Sequence, residues 1–511
     1  MGGGEPGDEA CGSQTANPKG QKERISMRSN YSVNASCHLQ VLSYEQCRRM
    51  LAAAIEVLER TGVVYHDQES LGIMKRAGCW MDGSRVRIPG KLVERALRSV
   101  PRKVTLSNSR TGARVMELEG NNSYFGTGSD TPFFIDPYSG NRVPSSKESV
   151  AMAAKVVDAL PNMEFVMSLG IVRDVPQMVY DRHQFAAMVL NTSKPIIITA
   201  VDIAGYGDII EMCEAIAGGE EELRRNPFMT LYAEPISPLV HPREAAQMLV
   251  LAGKKQLPVV YTPCVMAGST VPATLAGAMV NGLAESLSGL VLNQQTNEGN
   301  PFIMGGVFTI MDMSTTIFSY GAPEFDLMMA ALADMSNYLD IPMFGTAGCT
   351  DAKMVDEQAA IEGAISVVMS AQSGANLIHD VGYIEHGNTA SLEKVVICDD
   401  LVGYARRITG GMEVNDETLA LDVIDEVGPG GHYLMEEHTL KYFKSETWYP
   451  KLFERKVYEN WEKEGRKTLT QRANERVIDI LESHQPEPLP DDVQRKIKKI
   501  IEQAEQKILK K

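Results

Sequence analysis

Several polar residues in this chain stand directly behind short apolar runs. They are Gly128-Ser129-Asp130, Glu234-Pro235, Pro263-Cys264, Gly348-Cys349-Thr350-Asp351-Ala352-Lys353 and His379-Asp380. Carboxylates, imidazoles and small residues at such positions suit the binding and orientation of a charged small molecule. Gly305-Gly306 leads in the same way to Phe308 and Asp312, and Gly382-Tyr383-Ile384-Glu385-His386-Gly387 follows Asp380. Each also has a plainer reading, in which glycines end strands and Asp351 caps the next helix. The convergence of several run ends favours a site. Cys264, Cys349 and His379 have donor types that could hold a catalytic zinc with one open position. Lone cysteines, however, are more often small packing residues. The sequence has no Gly-rich loop ending in Gly-Lys, no G-x-S-x-G and no H-E-x-x-H.

Positioning these residues falls to the runs themselves: 124–128, 164–169, 195–200, 228–233, 259–263, 302–306, 343–348 and 376–382. They are continuously apolar, as strands buried on both faces are. Amphipathic segments such as KESVAMAAKVVDAL and HPREAAQMLVLAGKK separate them. Eight such units predict a (β/α)8 TIM barrel, in which chemistry sits at the C-terminal strand ends. The rival is an open doubly wound sheet, and no G-x-G-x-x-G follows any run to support a dinucleotide-binding version. Before the barrel, 43–62 reads as a helix capped by Ser43 with Gln46, and 67–77 as a second. RVRIP, KVTLS and ARVMEL read as strands around the helix KLVERALRSV. The expected organisation is a disordered leader over 1–26, an α+β region over 27–122, the barrel over 123–410 and a helical extension over 411–511. Within the extension, helices are expected over 415–427, 450–483 and 489–510, with GPGGHYL as a loop.

The net charge of −16 argues against nucleic acid as a partner, because a basic face is the usual footprint. The cysteines Cys11, Cys37, Cys47, Cys79, Cys213, Cys264, Cys349 and Cys398 are scattered without a CxxC pair, as expected of reduced thiols in a cytoplasmic protein. No apolar run reads as a membrane span, and the N-terminus has no signal-peptide core. The C-terminal helices point to self-association as a homo-oligomer.

FGTAGCTDAKMVDEQAAIEG (344–363), GSDTPFFIDPYSGNR (128–142), LYAEPISPL (231–239) and HDVGYIEHG (379–387) resemble the trimethylamine methyltransferase superfamily. So do MRSNYSVN from Met27 and GGHYLMEEHTLKYFKSETWYPKLFER (430–455). The resemblance runs from Met27 to about 480. It implies a (β/α) barrel enzyme that moves a methyl group from a methylated amine to the cobalt of a separate small corrinoid protein. Some members use pyrrolysine for trimethylamine. This chain has only standard residues and resembles the branch acting on glycine betaine and related quaternary amines. A quaternary ammonium already carries charge and leaves as a neutral amine, so the protein need only bind it, align one methyl and exclude water.

Aromatic faces hold such cations. The aromatic candidates are Tyr124, Phe133, Tyr232, Tyr261, Phe308, Phe344 and Tyr383. Glu234, Asp351 and Glu385 could add negative charge, and Lys353, His379 or His386 could meet a betaine carboxylate. Glu234, Asp351 and His379 are the candidates for positioning the methyl group. The corrinoid is expected on the partner, with no tightly bound metal on this chain. Two alternatives stand beside this reading: a zinc-thiolate methyltransferase using Cys264, Cys349 and His379, and a non-catalytic methylated-amine-binding protein.

Overall fold

The computed structural model describes residues 37–509. The leader expected over 1–26, Cys11 and the MRSNYSVN segment lie outside them. The centre of the molecule is a curled parallel sheet. Its strands are β1 (Tyr124–Thr127), β2 (Ile196–Ile198), β3 (Met229–Ala233), β4 (Val259–Tyr261), β5 (Phe302–Gly305), β6 (Met343–Thr346) and β7 (Leu377–Val381). They pair in the order β1-β7-β6-β5-β4-β3-β2, every pair parallel. The run expected as a further strand over 164–169 is not a regular strand. It makes single parallel bridges, Phe165 with Gly126 and Val166 with Ile196, between the two edge strands.

Alternation of side chains along each strand sorts the core into two parts. Ile197, Val260, Ile303, Phe344 and Leu377 point to the inside of the curl and pack with Phe165 and Met167. Their neighbours Ile196, Val259, Tyr261, Phe302, Met343 and Ile378 point outward, into the layer of helices. The hairpin Val104–Ser107 with Arg114–Leu118 closes the inside: Val104, Leu106, Met116 and Leu118 belong to the inner cluster. That seal lies against Tyr124, at the N-terminal strand end, so the opposite end is left for chemistry.

Two small sheets grow from the C-terminal strand ends. Cys264–Ala267, continuing β4, pairs with Val307–Asp312, continuing β5. Phe133–Ile135 and Tyr383–Ile384, from the segments after β1 and β7, share the other with Thr389–Ala390 and Arg142–Pro144. The segment after β3 carries Val240–His241, which pairs with Val63–Tyr65 of the N-terminal region. The segment after β3 is thus tied to the first part of the chain.

Helix Tyr44–Arg60 starts at Ser43 with the reciprocal Gln46 capping box that the sequence predicts. Helix Leu275–Thr296 is long and apolar enough to cross a membrane by length and composition, contrary to the reading of the sequence alone. It is a core helix: 72% of its apolar window is buried, and it packs on the N-terminal helices and on the sheet. The continuous helix expected over 450–483 is instead Tyr458–Lys463 and Leu469–Ser483, separated by Gly465 with φ 95°. Gly465 takes a left-handed conformation that helical backbone does not permit.

Candidate active site

The inward parity of β3 continues from Tyr232 to Glu234, which stands one residue past the strand. Tyr232 Oη donates to Glu234 Oε2 at 3.1 Å. Glu234 remains open to water, while burial of the site raises its pKa, and the nearby Asp130 and Asp380 raise it further. A carboxylate both surrounded by protein and reached by water lines a recess. On β7 the inward position is His379, whose ring lies 4.1 Å from that of Phe344 and 6.2 Å from that of Tyr232. His379 Nδ1 donates to the Gly345 carbonyl at 2.8 Å. In the neutral ring Nε2 is then an acceptor, 3.3 Å from Asp380 Oδ1. Burial lowers the His379 pKa and raises that of Asp380. One proton between the two atoms satisfies both.

Asp380 also accepts from Tyr320 Oη at 3.0 Å. Across the recess, Asp130 Oδ1 accepts from the Gln184 amide at 3.0 Å. Burial raises the Asp130 pKa against the hydrogen bonds of Gln184, Thr199, Ser129 and Ser168. Asp130 and Asp380 both adopt left-handed backbone, φ 61° and 71°. Aspartate tolerates that region better than most residues, and such conformations gather at functional sites. Gly128 allows the two segments to meet, since a Cβ there would lie 2.3 Å from Asp380 Oδ1. Among the described residues, no Lys or Arg makes an ion pair with Asp130, Glu234 or Asp380. The recess is therefore a pocket of acidic groups with aromatic walls from Tyr232, Tyr320 and Tyr383, and a cation placed there would favour the ionised carboxylates.

The remaining sequence candidates fall in other places. Tyr124 sits at the sealed end, its Oη accepting from the Glu117 amide at 3.1 Å. Tyr261 points outward and meets His241 Nδ1 at 2.5 Å. Phe308 is fully buried against helix Leu275–Thr296, where a Cβ on Gly282 would lie 2.4 Å from its ring. Asp351 does not cap a helix. It holds the 319–321 loop, accepting from Ser319 Oγ at 2.5 Å and the Tyr320 amide at 2.9 Å. That loop delivers Tyr320, so Asp351 acts behind the recess.

Lys353 is exposed and donates to the Asp351 carbonyl at 2.9 Å. Glu385 pairs with Arg142 at 2.8 Å, and Arg142 covers the Phe133 ring at 3.5 Å. His386 lies with Glu385 in the turn after β7, its backbone amide donating to Thr350 O. Tyr383 reaches the recess, donating to the Ser129 carbonyl. Cys264 lines the recess beside Glu234 and is exposed, whereas Cys349 is fully buried. Among the described residues, no group of three or more His, Cys, Asp or Glu is placed to hold a metal ion, so Cys264, Cys349 and His379 do not form a zinc site.

Sequence reasoning named Asp130 and Asp380 only as strand-end residues and missed Tyr320 and Gln184. Tyr320 lies far from any expected strand end. Gln184 lies in helix Tyr180–Val189, whose side chains are buried all round and give no amphipathic signal.

A model of the trimethylamine methyltransferase (MTTB) family matches residues 10–508. A trimethylamine methyltransferase MttB of Desulfitobacterium hafniense is 32% identical, covering 91% of this chain and 93% of the relative. A glycine betaine methyltransferase of the same species is 29% identical, covering 91% and 96%. Among solved structures, the Methanosarcina barkeri monomethylamine methyltransferase (MtmB) superposes with a TM-score of 0.52 at 11% identity, covering 91% of this chain and 89% of that one. This last match bears on the fold alone. The chain is a methyltransferase and belongs to the trimethylamine methyltransferase (MTTB) family.

Proposed function

We propose that this chain takes a methyl group from a quaternary amine, glycine betaine or a related betaine, and passes it to a corrinoid held by a partner protein. The observation that carries the reading is the set of three carboxylates, Asp130, Glu234 and Asp380, around one aromatic-walled recess. A permanent cation is held there by charge and by ring faces. The corrinoid supplies the cobalt(I) nucleophile. No proton is needed by the departing amine, in keeping with a recess whose only imidazole, among the described residues, is bonded to Gly345 O and Asp380. This chain's part is to orient the cation through Asp380 and Glu234 and to present one methyl at the open strand ends.

A betaine carboxylate would be held by neutral donors, since Lys353 is turned onto the Asp351 carbonyl. The same reading takes the sheet as a complete (β/α)8 barrel with Phe165–Val166 as its eighth position, which the bridges to Gly126 and Ile196 support. It also keeps the domain limits 27–122, 123–410 and 411–511, and a cytoplasmic setting.

The test is anaerobic mixing of the protein with cobalt(I) cobalamin or a cognate corrinoid protein and a panel of methylated amines, followed by absorbance. Methylation with a quaternary amine and not with trimethylamine is the expected result. Silence across the panel with the cognate corrinoid protein present would overturn the reading.

A further inference from the structure

Helix Tyr180–Val189 lies between the recess and the C-terminal helix Asp491–Leu509. Tyr180 and Gln184, one turn apart, form its face toward Asp130. Gln184 Nε2 donates to Asp130 Oδ1 at 3.0 Å and to Thr199 Oγ1 at 3.3 Å. His183 and Ala186, with Leu190 just past the helix end, are turned to the C-terminal helix. There His183 Nε2 lies 2.9 Å from Glu505 Oε1.

The C-terminal helix is fastened along its length. Ile497, Ile500, Ile501 and Ala504 follow helical spacing and are all buried, and the helix packs on Tyr180–Val189 and on Ile203–Ala217. The linker before it carries Pro486, Pro488 and Pro490, which keep it extended. It is tied down at two points. His484 Nε2 lies 2.8 Å from Asp158 Oδ2, and Asp158 Oδ1 accepts from Thr192 Oγ1 at 2.8 Å. Arg110 donates to the Glu487 carbonyl at 2.9 Å and to the Val189 carbonyl at 2.6 Å, and so joins the linker to the last residue of helix Tyr180–Val189. Linker and C-terminal helix thus grip Tyr180–Val189 at its end and near its middle.

The grip matters because that helix has little to hold it by itself. It is 10 residues long and has no side-chain cap at its N-terminus. Isolated helices of that length are marginal in water, and tertiary packing holds them. Asp130, on which Gln184 acts, has left-handed backbone, φ 61°. Such a conformation persists only where its surroundings over-determine it. A helix shift of about 1 Å would take the Gln184–Asp130 bond out of range.

We propose that Glu505 and His183 are positioning residues of the methyl-donor site: through them and Gln184, the C-terminal helix fixes where the Asp130 carboxylate stands in the recess. The proposal rests on the reading of the recess as the cation site.

The experiment compares full-length wild type, Glu505→Ala and Glu505→Gln in hydrogen–deuterium exchange and in methyl transfer from glycine betaine to cobalt(I) cobalamin. In Glu505→Ala, exchange is expected to quicken over 180–189 and over 128–133. KM is expected to rise on the order of fivefold, the worth of one net hydrogen bond, with kcat kept. Glu505→Gln, whose amide oxygen can still accept from His183, is expected to behave as wild type. In a Gln184→Ala background, Glu505→Ala is expected to cost nothing further, since its effect passes through Gln184. Unchanged exchange over 128–133 would overturn the proposal. So would a rise in KM of the same size in both backgrounds, which is what a merely structural contact gives. A wild type that transfers no methyl from glycine betaine would count against the proposed function alone, and exchange over 128–133 would then decide the positioning.

Discussion

Tyr320 donates to Asp380 Oδ2 at 3.0 Å, and so joins the loop before helix Pro323–Leu339 to the end of β7. The contact fixes one carboxylate of the recess from the side opposite His379. Asp351 in turn fixes the loop through Ser319 and the Tyr320 amide. Asp351 thereby sets the position of Tyr320 and, through it, that of Asp380.

Asp380→Asn removes negative charge where the ammonium is expected while keeping the shape. We expect KM for the quaternary amine to rise roughly 30-fold or more, the effect of about 2 kcal/mol or more lost with one partner of a buried charge pair, with the melting temperature little changed. Tyr320→Phe should raise KM by only a few-fold. Equal effects of the two would mean that Asp380 acts structurally. Steady-state kinetics beside a melting curve separates these cases.

Asp130, Glu234 and Asp380 all have pKa values raised by burial. A carboxyl whose folded pKa is raised adds stability below its unfolded value and loses it as pH rises through the folded value. The empty protein therefore loses stability from this cluster above the ordinary carboxylate range. A permanent cation binds the ionised forms, so the increase in melting temperature caused by a quaternary amine should grow with pH across the same window. A shift that is flat with pH would separate the cation from these carboxylates.

Glu285 accepts from Ser237 Oγ, the Leu239 amide and the Asn281 amide, and so holds the loop just past Glu234. Burial pushes its pKa up to about 7. Between the ordinary carboxylate value and that one, the group should cost on the order of 3 kcal/mol of stability as pH rises. Denaturant titrations of wild type and Glu285→Gln at pH 5 and pH 8 should show this slope flattened in the variant. kcat/KM should fall several-fold as the loop loosens.

Gly282→Val should destabilise by about 1–3 kcal/mol, the cost of overpacking a filled core, because its Cβ position is already taken by the Phe308 ring. KM for the amine should not move, since Phe308 faces the helix layer. A selective rise in KM would return Phe308 to the recess.

Cys264→Ala and Cys349→Ala should each retain methyl transfer, and a chelator should leave the protein's activity with free cobalt(I) cobalamin unchanged. Loss of activity in both variants, with metal found in the wild type, would revive the zinc-thiolate alternative.

Seven of the eight apolar runs determined the strands of the parallel sheet, because strands buried on both faces write themselves as continuous apolar segments. Ser43 and Gln46 determined a helix start for an equally local reason. The family was legible in segments such as 344–363 and 379–387. Tertiary structure alone decided which strand-end residues meet. Tyr232 and Tyr261 look alike in sequence, but one residue of strand parity sends the first inward and the second onto His241. Asp380 rather than Asp351 faces the recess because the backbone turns left-handed at Asp380, while Asp351 is taken up by the Ser319–Gly321 loop. Tyr320 and Gln184 arrive from a distant loop and a fully buried helix, and pairing across such sequence distances leaves no local pattern to read.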